Sequence, residues 1–560
     1  MKFKVQLLLF FTCLFFIHCS NKDIKEGYKN GMVVSANSLA SQVGIDILKN
    51  GGNAFDAAIG VQFALSVVYP NAGNIGGGGF VVYRLNDGSV GSLDFREKAP
   101  RKATRNMYLD DNNEVYIEKS KFGHLASGIP GSVDGMVKLH EKFGSLDWKN
   151  LLEPSIKLSK NGFKLTKNQA ISLNGVKESF LKLNDSSISL INKNEWKEND
   201  LLVQNNLYKT LERIKNDKRA GFYSGETAQL LLNEMNQGNG IFTLEDLDNY
   251  SSIWREPIIG NYKNHKIISI GPPSSGGIAL VQMLNGAEKL NVNKYEHNSK
   301  DYIHVISEIE SRVYADRATY LGDPDFFEVP SNTLISDKYL QNKFSTIDLN
   351  KKTPSSDIKE GQITMNETEE TTHFSIVDKF GNAVSITTTI NGSYGSKVVV
   401  DGAGFLLNNE MDDFSIKPGF PNMFGLTGGE ANAIEGNKRM LSSMTPTIIE
   451  KEGELFMVLG TPGGSTIITS VFQTILNVID FNMNMQEAVD SKKFHHQWLP
   501  DVIVIEKNTI KDDIKDNLIK MGHELDETFS IGRMDCILVN ESNKLEGGAD
   551  KRGDDIAIGF

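Results

Sequence analysis

The sequence has 560 residues, of which 39% are hydrophobic, and a formal net charge of -12 at pH 7. This length exceeds that of an average single domain and is sufficient for a large buried core. The acidic balance, and the lack of any Lys/Arg stripe interleaved with aromatic residues, argue against a nucleic-acid-binding surface.

The first residues have the pattern of a targeting segment. Two lysines precede an apolar run over residues 7–17, which is too short to span a bilayer. Cys19 follows at the position where a lipoprotein signal places its acylated cysteine, although its bulky neighbours fit that signal poorly. We therefore predict a signal segment over residues 1–19 and a cell-envelope protein, periplasmic or lipid-anchored through Cys19. A plain secreted protein and an uncleaved anchor are the alternatives.

The three cysteines do not form a disulfide framework, because two lie in the leader and Cys536 stands alone. The strand-like context of Cys536 predicts a buried structural residue rather than a nucleophile. Metal binding is also not expected. His495 and His496 are adjacent rather than at ligand spacing, and the sequence has no C-x-x-C or H-E-x-x-H motif.

Along the chain, strands are expected near both ends and helices between them. Helices are predicted over 36–50, which ends at a glycine pair, and over 55–68, which ends before a proline. Residues 124–290 are predicted to be largely helical, and 345–370 to be a mobile polar surface segment. Strands return over 371–560, with helices near 465–478 and 511–521. The order favours a layered α+β architecture over a regular βαβ repeat.

Two glycine-rich segments are candidate backbone sites. Residues 76–79 are all glycine, but no Gly-Lys-Ser/Thr motif follows, so close backbone packing is expected rather than a phosphate cradle. Thr461-Pro462-Gly463-Gly464-Ser465 lies between an apolar strand and a helix. Its amides either stabilise an oxyanion during acyl transfer or simply form a turn.

Charged segments supply further candidates. Arg96 ends a strand, where it either clamps a carboxylate in bidentate fashion or sits in a surface ion pair. Residues 408–413 crowd acids and amides, which suits an ammonium group or a solvated turn. Ser442 and Ser443 offer two adjacent hydroxyls that carry little information on their own.

A hairpin begins at Thr371. Residues 371–377 alternate as a half-buried strand does, a polar turn follows, and 383–390 form a second strand rich in Val, Ile and Thr. If the turn closes symmetrically, Val377 faces Ala383, and the count places Thr371 opposite Thr389. Directly opposed residues have Cβ atoms about 4.5–5.5 Å apart. Two threonines should therefore meet at the end of this hairpin.

Two interpretations of that pair remain open from spacing alone. A cross-strand threonine pair is common and merely stabilising. The functional interpretation requires a cut between Glu370 and Thr371, after which the new α-amine, with a reference pKa of about 7.7–8.0, serves as base for the Thr371 hydroxyl. The same hydroxyl would first attack the Glu370 carbonyl to cut the chain, and Thr389 would hydrogen-bond it.

Together these segments resemble the γ-glutamyltransferases, which are N-terminal nucleophile hydrolases, over roughly residues 33–560. The matching segments are Gly51–Ala58, Gly76–Phe80, Leu93–Glu97, Gly128–Gly131, Pro272–Gly277, Thr371–His373, Leu406–Phe414, Leu441–Pro446, Gly463–Gly464 and Phe494–Pro500. The resemblance implies a four-layer αββα sandwich built from two intertwined segments of one precursor. The cut would fall between Glu370 and Thr371, leaving a large subunit of 20–370 and a small subunit of 371–560 as a heterodimer.

The resemblance also implies a role for each candidate residue. Thr371 matches the nucleophile and Thr389 its hydrogen-bond partner, while Gly463 and Gly464 match the oxyanion-hole amides. The matches to residues that hold the substrate α-carboxylate are Arg96, Ser442 and Ser443. The matches to residues that hold its α-amino group are Asn391, Glu410 and Asp413.

The implied activity is cleavage of the γ-glutamyl bond of glutathione and related amides, with transfer to water, an amino acid or a dipeptide. No metal or organic cofactor is implied, and the location would be the bacterial cell envelope. A related acylase of the cephalosporin acylase type is one alternative, although an acid without an α-amino group needs no such polar pocket. A non-catalytic envelope protein that retains the fold is the other.

One residue departs from the pattern of some bacterial relatives. They carry a lid tyrosine after the position of Asp413, where this chain has Phe424. The ring remains and the hydroxyl is lost, so a hydrogen bond to the loop near Asn391 would be missing. We expect a looser lid and more hydrolysis relative to transfer.

Overall fold

The computed structural model describes residues 27–358 and 371–560. The predicted signal segment with Cys19, and Glu370 on one side of the predicted cut, lie outside the described residues.

The helices in the described ranges are α1 (Ser38–Lys49), α2 (Ala54–Val68), α3 (Glu118–Lys121), α4 (Ser132–Phe143), α5 (Trp148–Asn161), α6 (Lys167–Leu181), α7 (Asn205–Asp217), α8 (Ala220–Tyr223), α9 (Gly225–Gln237), α10 (Leu244–Asp248), α11 (Gly276–Lys289), α12 (Lys300–Tyr320), α13 (Ser331–Leu334), α14 (Asp337–Phe344), α15 (Ile467–Ile479), α16 (Met485–Asp490) and α17 (Asp512–Lys520).

The strands are β1 (Gly31–Ser35), β2 (Gly78–Arg84), β3 (Val90–Asp94), β4 (Phe163–Lys164), β5 (Leu201–Leu202), β6 (Ile253–Arg255), β7 (Ile258–Tyr262), β8 (His265–Ser269), β9 (Thr372–Asp378), β10 (Ala383–Thr389), β11 (Thr447–Lys451), β12 (Glu454–Leu459), β13 (Phe494–His495), β14 (Ile503–Glu506), β15 (Leu525–Thr528), β16 (Asp535–Val539), β17 (Leu545–Ala549) and β18 (Ile556–Gly559).

Two antiparallel sheets form the centre of the molecule. The first has the strand order β18-β1-β9-β10-β2-β3-β6, and the second has the order β17-β16-β12-β11-β8-β7. An apolar core that includes Met32, Phe80 and Ile448 fills the space between them. Larger cores join the outer face of each sheet to helices. The predicted four-layer αββα sandwich is therefore confirmed.

Local capping hydrogen bonds fix the points at which the first two helices begin. The Asn37 side chain accepts a hydrogen bond from the Leu39 amide at the start of α1. Asn53 and Asp56 form a capping box at the start of α2, whose residues are buried on every face. Both helices agree with the predicted ranges 36–50 and 55–68.

The prediction of a largely helical region over 124–290 is wrong for its last part. Residues 253–269 form β6, β7 and β8. Of these, β6 and β7 lie at edges of the two sheets, and β8 lies between β7 and β11. These strands are only three to five residues long. β6 pairs with β3 and β8 pairs with β11, both remote in sequence, so local periodicity does not signal these pairings, whereas β7 and β8 form a local hairpin that the helical prediction overlooked.

The predicted mobile segment 345–370 is also held more firmly than expected over its described part. The Ser355 hydroxyl donates to the Trp498 carbonyl at 2.6 Å, and the Trp498 indole N–H reaches the Ser355 and Ile358 carbonyls at 3.1 Å. Lys352 pairs with Asp501 at 2.8 Å. These contacts anchor the chain shortly before the predicted cut.

Cys536 is fully buried in β16, as predicted, and burial raises the pKa of its thiol. In the part of the chain that the structure describes, no helix combines the length and apolar character needed to cross a membrane.

Buried histidines make the fold sensitive to acid. Burial lowers the pKa of His373 to about 3, that of His495 to about 4 and that of His523 to about 3, against an ordinary value of 6.5. Just below pH 6.5, these histidines bind protons in the unfolded chain but not in the folded chain. Each histidine therefore removes about 1.4 kcal/mol of stability per pH unit as the pH falls.

We predict that His523→Gln reduces the decrease in unfolding free energy that accompanies a fall in pH. Relative to the unsubstituted protein, the variant should gain about 1.4 kcal/mol of unfolding free energy per pH unit between pH 6.5 and 4.5. Urea unfolding at a series of pH values measures the difference. Comparing the two proteins cancels the buried carboxyl groups, whose raised pKa values act in the opposite direction. Parallel pH profiles would contradict the prediction.

Candidate active site

The hairpin register places the two threonines as predicted. In the pairing of β9 with β10, Val377 lies opposite Ala383 and Thr372 opposite Thr388. Thr371 immediately precedes β9, so the same register continues to Thr389. Thr371 is only 5% exposed. The predicted strands 371–377 and 383–390 agree with β9 and β10 to within one residue at each end, and the pair lies inside the molecule.

Strand alternation puts Thr371 on the face that looks toward the second sheet. His373 and Ser375 follow on that face. The His373 ring nitrogens lie 2.9 Å from the Thr387 hydroxyl and 3.1 Å from the Ser375 hydroxyl, and Ser375 donates to the Asp535 carbonyl. Hydroxyls and a neutral imidazole therefore line the space behind Thr371.

The glycine run sets the position of Thr389. A Cβ atom on Gly77 would lie 2.0 Å from the Thr389 carbonyl oxygen, and one on Gly76 would lie 2.1 Å from the Leu406 carbonyl oxygen. Only glycine permits so close a backbone approach. The predicted close packing is confirmed, and its function is to seat the end of β10.

One cavity gathers nearly all of the predicted site residues. Its walls include Arg96, Thr371, Thr389, Asn391, Glu410, Asp413, Ser442, Ser443 and Gly464. Gly463 directly precedes Gly464 in the strand-to-helix turn, and both have positive φ, at 138° and 50°. This turn therefore borders the nucleophile candidate.

Arg96 is a buried clamp and not a surface residue. It is 1% exposed, and its guanidinium lies 2.6 Å from Glu410 and 2.5 Å from Asp413. Glu410 and Asp412 are fully buried, so the alternative of a solvated turn over 408–413 is wrong. The alternative of a surface ion pair for Arg96 is wrong for the same reason.

More than one carboxyl group lies close to the single guanidinium of Arg96, so acidic groups are in excess there. Glu97 lies 3.6 Å from the same guanidinium. Burial raises the pKa of Glu97, Glu410 and Asp413, while Arg96 opposes the shift. A second cation entering the cavity would relieve this excess of buried carboxyl groups.

Arg317 is a site residue that the sequence interpretation missed. It lies on α12, lines the cavity, and donates to the hydroxyls of Ser443 and Ser275 at 3.1 Å. Its helix carries several other charged residues that are also buried. The charged residues of this buried helix were the available sequence signal. That signal does not distinguish Arg317 from the other charged residues of the helix.

A loop over residues 418–429 closes the cavity. Asn422 donates to Asp413 at 3.1 Å, and the Met423 amide donates to Asp412 at 2.7 Å. The Phe424 ring is buried against Gly464, where a Cβ atom would lie 2.5 Å from the ring. The Gln497 side chain donates to the Phe424 carbonyl at 3.2 Å.

In this loop the neighbour of Asn391 is Met423. The Asn391 amide nitrogen lies 3.5 Å from the Met423 sulfur and donates to the Asn409 carbonyl at 3.0 Å. The contact between lid and loop is therefore made by a weak sulfur acceptor.

Comparison with known proteins identifies the family. The family model described as gamma-glutamyltranspeptidase matches residues 40–560. The chain belongs to the γ-glutamyltranspeptidase family. It is 44% identical over 539 residues to the glutathione hydrolase proenzyme of Escherichia coli (strain K12), covering 95% of this chain and 92% of the relative. It is 42% identical to that of Pseudomonas sp. (strain A14), covering 100% and 99%.

Solved structures agree with the family assignment. Helicobacter pylori γ-glutamyltranspeptidase is 44% identical, with a TM-score of 0.57, over 60% of this chain and 96% of that chain. A cephalosporin acylase from Bacillus halodurans has a TM-score of 0.81 over 95% and 96% of the two chains, but only 24% identity. That likeness shows the fold alone.

Gly77→Ala tests the seating of β10 in this family member. The added methyl group meets backbone rather than a flexible side chain, so we expect a loss of about 1–3 kcal/mol or more in unfolding free energy. Chemical denaturation measures it. Gly175→Ala is the matched control, because its Cβ meets nothing within 4 Å and α6 should tolerate it. Equal stability of the two variants would disprove the packing argument.

Proposed function

We propose that this protein is a self-processing γ-glutamyltransferase that cleaves the γ-glutamyl bond of glutathione and related amides. One observation carries the proposal: a single cavity holds the Thr371–Thr389 pair, two buried arginines and an acidic cluster. A γ-glutamyl donor carries a carboxylate and an ammonium group on its α-carbon, and this charge set complements both.

Processing would precede activity. The Thr371 hydroxyl attacks the Glu370 carbonyl carbon, the Glu370–Thr371 carbon–nitrogen bond breaks, and the hydroxyl proton passes to the freed Thr371 amine. Water then hydrolyses the resulting ester, which restores the Thr371 hydroxyl and leaves a large subunit (20–370) and a small subunit (371–560). Thr371 then has a free α-amine beside its own hydroxyl, so one residue supplies both nucleophile and base.

Donor binding would use the charges already in place. Arg96, Ser442 and Ser443 hold the α-carboxylate, and Arg317 assists through its contact with Ser443. Asn391, Glu410 and Asp413 hold the α-ammonium group. The incoming carboxylate competes with the acids for Arg96, while the ammonium group compensates those acids.

The reaction then proceeds through an ester. The Thr371 Oγ attacks the γ-carbonyl carbon, its proton passes through the α-amine to the leaving amine, and the carbon–nitrogen bond breaks. Gly463 and Gly464 amides stabilise the oxyanion, and Thr389 orients the hydroxyl. Water or an acceptor amine attacks the ester and restores the Thr371 hydroxyl.

The location proposed with this activity is the cell envelope. The apolar leader within residues 1–19 supports export, and Cys19 supports a lipid anchor. A retained cephalosporin acylase type of activity is the less favoured function, because an acyl group without an α-amine leaves the excess of acidic groups around Arg96 uncompensated.

A denaturing gel of the purified protein tests self-processing. We expect two bands, the smaller of about 20 kDa and beginning Thr-Thr-His, since residues 371–560 form about one third of the 560-residue, 62.0 kDa chain. Thr371→Ala should remain one chain, whereas Thr371→Ser should still be cut because it keeps a hydroxyl. An unsubstituted protein that stays intact, with no hydrolysis of a γ-glutamyl anilide, would refute the proposed function.

Phe424→Tyr tests the lid. The added hydroxyl supplies the missing hydrogen bond toward the loop near Asn391, so water should enter less and the ratio of transfer to hydrolysis should rise by about two- to tenfold, the equivalent of one neutral hydrogen bond. The ratio is measured with one γ-glutamyl donor and one dipeptide acceptor. Phe420→Tyr, on the same loop but 36% exposed, is the control. An unchanged ratio in Phe424→Tyr would show that the lid does not control the partition.

A further inference from the structure

The lid loop over residues 418–429 is attached to the rest of the protein on two sides. On one side, the Asn422 side chain donates to Asp413 at 3.1 Å. On the other side, the Gln497 side chain donates to the Phe424 carbonyl at 3.2 Å. Asp413 is assigned above to the ammonium group of the donor, so a bound donor competes for the first attachment. The second attachment uses no donor-binding residue and persists when the donor is bound.

The side-chain amide of Gln497 has one orientation that satisfies its neighbours. The backbone carbonyls of Phe424 and Leu499 each lie 3.2 Å from the same end of this amide. A carbonyl oxygen only accepts hydrogen bonds, so that end is the NH2 group, and both of its hydrogens are used. The amide oxygen therefore faces the other way, where it lies 2.9 Å from His495 Nε2.

The amide oxygen in turn determines where His495 carries its proton. Because the oxygen only accepts, the proton is on Nε2. Burial lowers the pKa of His495 to about 4, so the ring is uncharged near neutral pH and its Nδ1 has no proton. The Thr469 hydroxyl lies 2.9 Å from that Nδ1 and donates to it. The Thr466 carbonyl, at 3.1 Å, is the more distant acceptor for the same hydroxyl.

This hydrogen-bond network connects the lid with the glycine turn of the site. Thr469 lies near the start of α15, directly after the turn that contains Gly463 and Gly464. The Phe424 ring packs against Gly464, while the Phe424 carbonyl accepts from Gln497. His495 and Thr469 are 1% and 0% exposed, so bulk water does not compete for their hydrogen bonds. The network therefore fixes the lid relative to the turn proposed to stabilise the oxyanion.

We propose that Gln497 is a positioning residue that holds the lid closed over the γ-glutamyl group, with its amide oriented by His495 and Thr469. The proposal rests on the proposed γ-glutamyl transfer. Gln497 acts through the backbone carbonyl of Phe424, so its bond forms whether residue 424 is phenylalanine or tyrosine. The lid of this chain thus keeps a buried attachment that does not depend on a tyrosine hydroxyl.

Gln497→Leu provides the first test, because it removes both hydrogen-bond donors at similar side-chain size. A loosened lid releases the donor sooner and admits water. We therefore expect the ratio of transfer to hydrolysis to fall by about two- to tenfold, the equivalent of one neutral hydrogen bond. The KM for the donor should rise by a similar factor, while the hydrolytic kcat stays within about twofold. The rates are measured with a γ-glutamyl anilide, with and without glycylglycine.

Gln486→Leu is the matched control for this variant. The Gln486 side chain also donates to a backbone carbonyl, that of Ala549 at 3.0 Å, but it does not contact the lid. Its ratio and donor KM should equal those of the unsubstituted enzyme. Dividing transfer by hydrolysis removes any difference in the amount of folded, self-cleaved enzyme. If Gln497→Leu leaves both the ratio and the donor KM unchanged, the proposal is wrong.

Thr469→Val tests the orienting role of the network without altering Gln497. The variant keeps the shape of the side chain but no longer holds the His495 ring, so the ratio of transfer to hydrolysis should fall, by less than in Gln497→Leu. Adding Thr469→Val to Gln497→Leu should cause no further fall, because residues of one network are not additive. Thr474→Val is the matched control, since Thr474 is buried on the same helix and its hydroxyl has no hydrogen-bond partner in the described ranges.

The double variant separates the possible outcomes. An equal fall in both backgrounds, or no effect of Thr469→Val in either, would show that Thr469 does not act through Gln497 and would overturn the network. A fall in Thr474→Val as large as that in Thr469→Val would assign the effect to packing of α15 and overturn it as well. Absence of hydrolysis in the unsubstituted protein would instead refute the proposed function itself.

Discussion

The position of β9 in the middle of a seven-stranded sheet is the constraint on which the site depends. β9 pairs with β1 on one edge and with β10 on the other. A chain end at an edge strand frays easily, whereas β9 is an interior strand, paired with β10 as far as Thr372 and with β1 as far as Phe374. A cut before β9 would therefore leave a new terminus that stays in place. The glycine run extends the same constraint to β10, because its backbone contact with Thr389 leaves no room for a side chain.

Prediction from the sequence succeeded where the determining contacts are local and failed where they are remote. The β9–β10 register follows from one short turn, and α1 and α2 follow from caps and glycine stops. Strand β6 and the attachment of the β7–β8 hairpin to the second sheet were missed, because the partners β3 and β11 lie far away in sequence, although the hairpin itself is local. Arg317 was missed for a related reason, since only the packing of α12 against the Ser442–Ser443 segment brings it to the cavity. Residues 352–358 were predicted to belong to a mobile segment, because no local sequence pattern indicates that they bond to Trp498 and Asp501.

Electrostatics within the cavity favour a zwitterionic donor over a simple acid. Arg96 is buried with Glu97, Glu410 and Asp413, and burying charge without full compensation costs free energy. A ligand that brings only a carboxylate would add to the negative charge. A ligand that also brings an ammonium group restores the balance, and Arg317 next to Ser443 supplies the second cation that the carboxylate needs. Specificity for an α-amino acid group would thus come from the cluster as a whole.

The proposed lid bears on the partition between hydrolysis and transfer. The lid proposed to cover the γ-glutamyl group is held by hydrogen bonds from Asn422, from the Met423 amide and from Gln497. None of these bonds uses the ring at position 424, so phenylalanine in place of tyrosine leaves them intact. Under the proposed function, Phe424 would weaken closure without abolishing it and would raise access for water.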